Sequence, residues 1–256
     1  MNDIDGIFKL LEDWRKLPAY QLERRADIFF AYFLPEIMKE RFGVEYDIED
    51  RHKHIIPEFP LRQNKETFRS DKVDYAVIGN NATFLVELKT NESFYNEKQV
   101  DYLIRAKEKE GGLNTLIEEI FEIRYSPNSD DKYEKLIERL YSVPNIGKIP
   151  FDNGKSDLSS DVLQLLNRKS LNPENLMKVK DEIRVNSSAK PEIVYIVPKL
   201  PEKQKPDDSE LTLNHRDSKV TFKVITFANI SSVLRSYEES NKLASSFQKS
   251  LEEWLD

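Results

Sequence analysis

The feature that most constrains the fold is a pair of β-forming segments joined by a short polar turn. Val73-Asp74-Tyr75-Ala76-Val77-Ile78 and Thr83-Phe84-Leu85-Val86-Glu87-Leu88-Lys89 are rich in β-branched and aromatic residues, with Gly79-Asn80-Asn81-Ala82 between them. Glycine and asparagine tolerate positive φ, so this spacing predicts a tight hairpin. Whether the turn takes two residues or four, the count pairs Asp74 with Glu87. It also sets Val73 opposite Leu88, Tyr75 opposite Val86 and Val77 opposite Phe84. Side chains alternate along a strand, so those residues build one apolar face, while Asp74, Glu87 and Lys89 share the other.

The segments around the hairpin set the fold class. Ile4, Ile7, Phe8, Leu11 and Trp14 stand at helical spacing, and residues 19–41 predict a long helix that Pro35 can kink. Val44 to Ile48 alternates like a short strand. Residues 51–72 predict a loop. It is locally basic, with Arg51, Lys53, Arg62, Lys65, Arg69 and Lys72 against Glu58, Glu66 and Asp71. A helix is expected over 95–109, and residues 113–185 are mostly helical in pattern. Ile193 to Val197 is a continuous apolar run, the mark of a strand covered on both faces, and Val220 to Phe227 reads as another strand. Residues 201–219 are polar and proline-bearing, so they are expected to be mobile. One helix is expected from about Ser231 to Trp254. The order predicts an α/β (α+β) chain: a mixed central sheet flanked by helices, forming one domain over 1–256 with a helical insertion over 111–189.

Composition narrows the chemistry. The absence of cysteine rules out disulfides, thiolate zinc sites and cysteine nucleophiles, and three histidines are too few for a histidine-rich metal centre. His52 and His54 read as part of a solvated basic loop, since no third ligand accompanies them. The chain has 39 basic and 46 acidic residues, a net charge of −7. A non-specific nucleic-acid coat is usually basic, so a DNA partner would have to engage a local basic patch such as 51–72. No run is apolar enough to span a membrane, and the opening MNDIDGIFKLLEDW lacks the basic start of a secretory leader, so a cytoplasmic setting is expected.

Two carboxylates directly opposite each other on a strand pair have Cβ atoms about 4.5–5.5 Å apart and repel. A divalent cation relieves that repulsion, and hard oxygen ligands at this spacing suit Mg2+ or Mn2+. A lysine on the same face can position water or offset developing charge on a phosphodiester. Glu87-Leu88-Lys89 is the sole Glu-x-Lys of the sequence, and it falls inside an apolar strand. A solvated edge-strand pair is the plain alternative.

Asp74 followed by Glu87-Leu88-Lys89 at the end of an apolar strand resembles the PD-(D/E)xK nuclease superfamily, with its restriction-endonuclease-like fold. Leu22-Glu23-Arg24 resembles the family's first core helix, and Gln99-Val100-Asp101-Tyr102 is similar to the glutamine–tyrosine element of its RecB-like branch. The resemblance covers roughly 19–110 and 190–228. Val73 stands where the family name has proline. The resemblance implies metal binding by Asp74, Glu87 and the Leu88 carbonyl, with Lys89 orienting or activating water. It implies that Glu23 serves a second metal or its water, and that Gln99 and Tyr102 steady the site or touch the scissile strand. The activity implied is Mg2+- or Mn2+-dependent hydrolysis of DNA. A catalytically inactive binding module of the same fold is the alternative. Asp27 and Glu36 rival Glu23, which could equally be N-terminal helix decoration. Gln99 and Tyr102 could be ordinary helix-surface residues. Phe247 and Trp254 read as core, with a homodimer seam as the alternative.

Overall fold

The computed structural model describes residues 4, 7–11, 21–47, 51–64, 69–91, 96–124, 133, 136–137, 139–140, 142–143, 146, 189–201, 209–216, 218–237 and 241–255. Its elements are α1 (Leu22–Phe42), a 3-10 turn (Arg51–His54), β1 (Ile55–Arg62), β2 (Ser70–Ile78), β3 (Thr83–Leu88), α2 (Glu97–Glu108), α3 (Leu113–Arg124), β4 (Glu192–Val197), β5 (Glu210–His215), β6 (Ser218–Thr226), α4 (Phe227–Arg235) and α5 (Lys242–Glu253). The strands form a mixed six-stranded sheet in the order β1-β2-β3-β4-β6-β5. β1–β2 and β5–β6 are antiparallel, and β4–β6 is parallel. By internal contacts the chain groups into two compact units, one made of 1–44, 86–97 and 193–256, the other of 45–85 and 98–192. The proposed insertion, 111–189, lies within the second range. No described helix is long and apolar enough to cross a membrane.

In the first unit, α1 buries Ala26, Phe30, Phe33 and Ile37 along one stripe, as their spacing requires. Pro35 sits inside this helix, and Gly43 closes it in the left-handed conformation (φ 64), where a residue without Cβ is unstrained. Phe247 of α5 packs against Phe30 edge-on at 5.0 Å and stacks on Phe33 at 5.9 Å. The last helical region is two helices, not the single helix expected from Ser231. Thr226 caps α4 through a capping box with Asn229, and Asn241 caps α5 by accepting from Leu243 and Ala244. The Asn241 cap satisfies amide donors that a continuous helix would have bonded internally, so the break before α5 is built into the sequence. Phe247 and Trp254 are buried in this chain's own core, so they form no exposed seam for a second copy.

Three expectations fail in instructive ways. Residues 210–215 form β5, although 201–219 read as mobile. Leu211 is buried there, and Thr212 and Thr221 hydroxyls meet across the strands at 3.1 Å. Residues 55–62 form β1 where a loop was expected, although the strand contains Pro57 and Pro60. Both prolines sit in register with β2, opposite Tyr75 and Lys72, and β1 is an edge strand, where a missing N–H breaks no ladder. Residues 44–47 form no strand. Glu45 instead braces the hairpin turn: its carbonyl accepts from Asn80 N–H at 2.9 Å, and its N–H donates to Asn81 Oδ1 at 3.1 Å.

These packing relations give two stability predictions. Phe247→Ala should cost about 3–5 kcal/mol, the range for deleting a buried aromatic, read as a lower urea midpoint with unchanged slope. Hydrogen bonds from Gln248 and Ser231, with the Arg235 charge, hold the Glu252 carboxyl below its usual range. A depressed folded-state pKa adds stability above the unfolded pKa and loses it as pH falls through the folded one. Glu252→Gln should therefore lower the melting temperature at pH 7, and the gap to the wild-type protein should close at pH values below the carboxylate range.

Candidate active site

The hairpin that carries the acidic residues forms where the sequence puts it. The Gly79 N–H donates to the Ala82 carbonyl at 2.9 Å. The turn does not use positive φ as expected; among the described residues other than glycine, Glu58 and Arg216 alone adopt it. Asn80 and Asn81 serve through hydrogen bonds to Glu45 rather than through left-handed backbone.

Glu87 belongs to β3, where Phe84 through Leu88 are all buried. The expected division into one apolar and one chemical face is therefore incomplete, because Leu85 and Val86, neighbours on opposite faces, are both fully enclosed. Glu87 is 2% exposed and Lys89 9%. The Lys89 ammonium donates to Glu87 Oε1 at 2.8 Å. Lys89 lies one residue past β3, and its N–H donates to the Ile196 carbonyl of β4 at 2.8 Å. That bond anchors the residue whose side chain meets the carboxylate. A carboxylate this deeply buried requires a compensating charge, and Lys89 supplies one.

Asp74 lies within β2 and is half-buried. Tyr102 is buried on α2, and its hydroxyl donates to the Lys72 carbonyl at 3.0 Å, which ties α2 to β2 two residues before Asp74. Gln99, one turn earlier, is half-buried. Glu23 is half-buried in the first turn of α1, on the face it shares with Ala26 and Phe30 by i, i+3, i+7 spacing. Its rivals differ: Asp27 is exposed and accepts from the Ile28 N–H at 2.7 Å, and Glu36 is half-buried further along α1.

The basic segment is not a single solvated loop. Arg62 pairs with Glu122, and Lys72 pairs with Glu58 at 2.7 Å, while Arg51 and Arg69 are exposed. Lys65 lies outside the described residues. His54 is buried, with Nδ1 2.6 Å from the Ile78 carbonyl and its ring edge-on to Tyr46. It holds the end of β2 rather than standing in solvent. No group of three or more His, Asp or Glu side chains placed to hold a metal ion occurs among the described residues. The ligand set implied by the resemblance is smaller, two carboxylates and a backbone carbonyl.

Sequence reading missed Lys72 as the residue whose carbonyl accepts from Tyr102 and whose exposed ammonium pairs with Glu58. Its spacing of two from Asp74 was the available signal. No family model, curated protein or solved structure matches the chain.

Removing one member of the buried pair should cost far more than removing both. Lys89→Met leaves an uncompensated buried carboxylate and should lower stability by about 3–5 kcal/mol. Adding Glu87→Leu should recover most of that loss. Urea unfolding of the single and double variants checks this, and equal losses in both would contradict it.

Proposed function

We propose that the chain is a metal-dependent nuclease of the PD-(D/E)xK kind that hydrolyses phosphodiester bonds of DNA. The observation that carries the reading is the buried Glu87–Lys89 pair at the end of a strand flanked on both sides in a mixed sheet. Two features support it. The turn bond between Gly79 and Ala82 agrees with the count that sets Asp74 against Glu87. From α1 to β4 the elements run helix, three successive strands, α2, α3 and strand; with α3 set aside as part of the expected insertion, this is the order of helix, strand, hairpin, helix and strand that the resemblance implies for the family core.

The donors suit the ion. Asp74, Glu87 and the Leu88 carbonyl are hard oxygen ligands of the kind Mg2+ and Mn2+ take. A bound ion would supply Lewis-acid polarisation of the phosphodiester. The protein's own part is then electrostatic. Lys89, held by Glu87 and anchored through Ile196, presents a fixed positive charge that orients water and offsets charge gathering on the phosphate in the transition state. Fixing it beforehand avoids reorganising it during the reaction. Tyr102 is a positioning residue, acting through the Lys72 backbone on the strand that bears Asp74.

A second reading has one observation in its favour. Lys89 compensates Glu87 without any cation, so the pair could survive in an inactive module of the same fold. Cleavage decides between them. Purified protein with Mg2+ or Mn2+ should cut single-stranded, duplex or branched DNA. Asp74→Asn and Lys89→Arg, which keep the buried ion pair, should each lower the rate by about 10²-fold or more while circular dichroism stays native. No metal-dependent cleavage of any of these substrates by the wild-type protein would favour the inactive module.

A further inference from the structure

A cavity of about 320 Å3 lies on the sheet face that carries Asp74. The register places it there. Lys72 and Asp74 are two residues apart on β2 and project from the same face, and Pro60 and Ile56 are the partners of Lys72 and Ala76. Ile56, Pro60 and Leu136 give it apolar walls, Tyr133 adds an aromatic ring, and Lys72 and Arg139 bring positive charge. The volume is at the small end of ligand-binding cavities.

The polar groups around it are fixed in place. The Tyr133 hydroxyl lies 3.3 Å from Ser70 Oγ, which orients the ring. The Arg139 guanidinium donates to the His52 and Ile55 carbonyls. Those neutral acceptors orient the cation and leave its charge in place, and burial pulls its pKa below the usual range. Lys72 and Glu58 offset each other at 2.7 Å, so Arg139 leaves the wall net positive. A small apolar space with an oriented aromatic ring and a partly desolvated cation suits a flat, apolar body that carries an anion. A nucleotide has both parts, and stacking of bases on aromatic side chains is how single strands are held without regard to sequence.

We propose that this cavity receives an unstacked base of a single-stranded nucleic acid, with Tyr133 as the stacking partner and Arg139 facing the adjoining phosphate. This rests on the nucleic-acid reading above and deepens it: the substrate would enter as a single strand, or as a strand locally opened, with one base held on the sheet face that carries Asp74.

The test is binding in EDTA, where no cleavage occurs, followed by fluorescence anisotropy. The probes are a fluorescein-labelled oligothymidylate and an abasic oligomer of the same length. The wild-type protein should bind the thymidylate roughly tenfold more tightly than the abasic strand. Tyr133→Leu, and Leu136→Trp, which fills the cavity, should each abolish that preference with an unchanged thermal midpoint. Tyr133→Phe should keep it. Equal binding of the two probes by the wild-type protein, binding of neither, or a preference that persists in Leu136→Trp would overturn the proposal. Metal-dependent cleavage without the preference would sink the base pocket alone; the preference without cleavage would sink the enzyme reading alone.

Discussion

A carboxylate enclosed to 2% exposure has to be compensated, and in this chain the compensation comes from two residues further along the same strand direction. Glu87 and Lys89 share a face because strand side chains alternate, and both are held because the Lys89 amide is bonded into the neighbouring strand through Ile196. An exposed pair of this kind would contribute little, since solvent screens it and side-chain entropy opposes it. Burial changes the balance. Either charge alone would be severely destabilising, so the pair constrains what can occupy this end of β3. In the proposed chemistry a bound cation would share the Glu87 carboxylate with Lys89, so one buried pair would serve both the packing of β3 and the reaction.

How much of this was legible in the sequence depends on whether the signal was local. The hairpin of β2 and β3, the long helix α1 with Gly43 at its end, and the enclosed strand β4 all carry their pattern within a few residues. β1 does not, because Pro57 and Pro60 signal a loop unless the strand is known to be at the sheet edge. β5 was hidden by its polar residues, with Leu211 the buried anchor and Thr212 pairing across to Thr221. The break between α4 and α5 was encoded in Asn241, an ordinary polar residue until its capping bonds to Leu243 and Ala244 are seen.

The candidate site divides along the same line. That Glu87 and Lys89 share a face follows from counting. That they are buried does not, since enclosure of both faces of β3 depends on elements distant in sequence. Tyr102 was picked out by its place in a motif, and the structure gives it a definite partner in the Lys72 carbonyl. The cavity between Lys72, Tyr133 and Arg139 was not legible at all. Tyr133, Leu136, Ile137 and Leu140 stand at the spacing of one helical stripe, yet the latter two are buried and the former two are half-buried and line the cavity. A stripe identifies which side of a helix faces inward; it does not say whether the space it faces is filled.

The most direct test of the proposed metal-dependent chemistry is calorimetric titration of the protein with Mn2+ in the absence of nucleic acid. A saturable heat that disappears when Asp74 and Glu87 are both replaced by alanine, in a variant that retains native circular dichroism, is the expected result. No heat of binding to the wild-type protein, or binding that survives in the double variant, would show that the two carboxylates hold no ion, and the chemistry proposed for this strand pair would not stand.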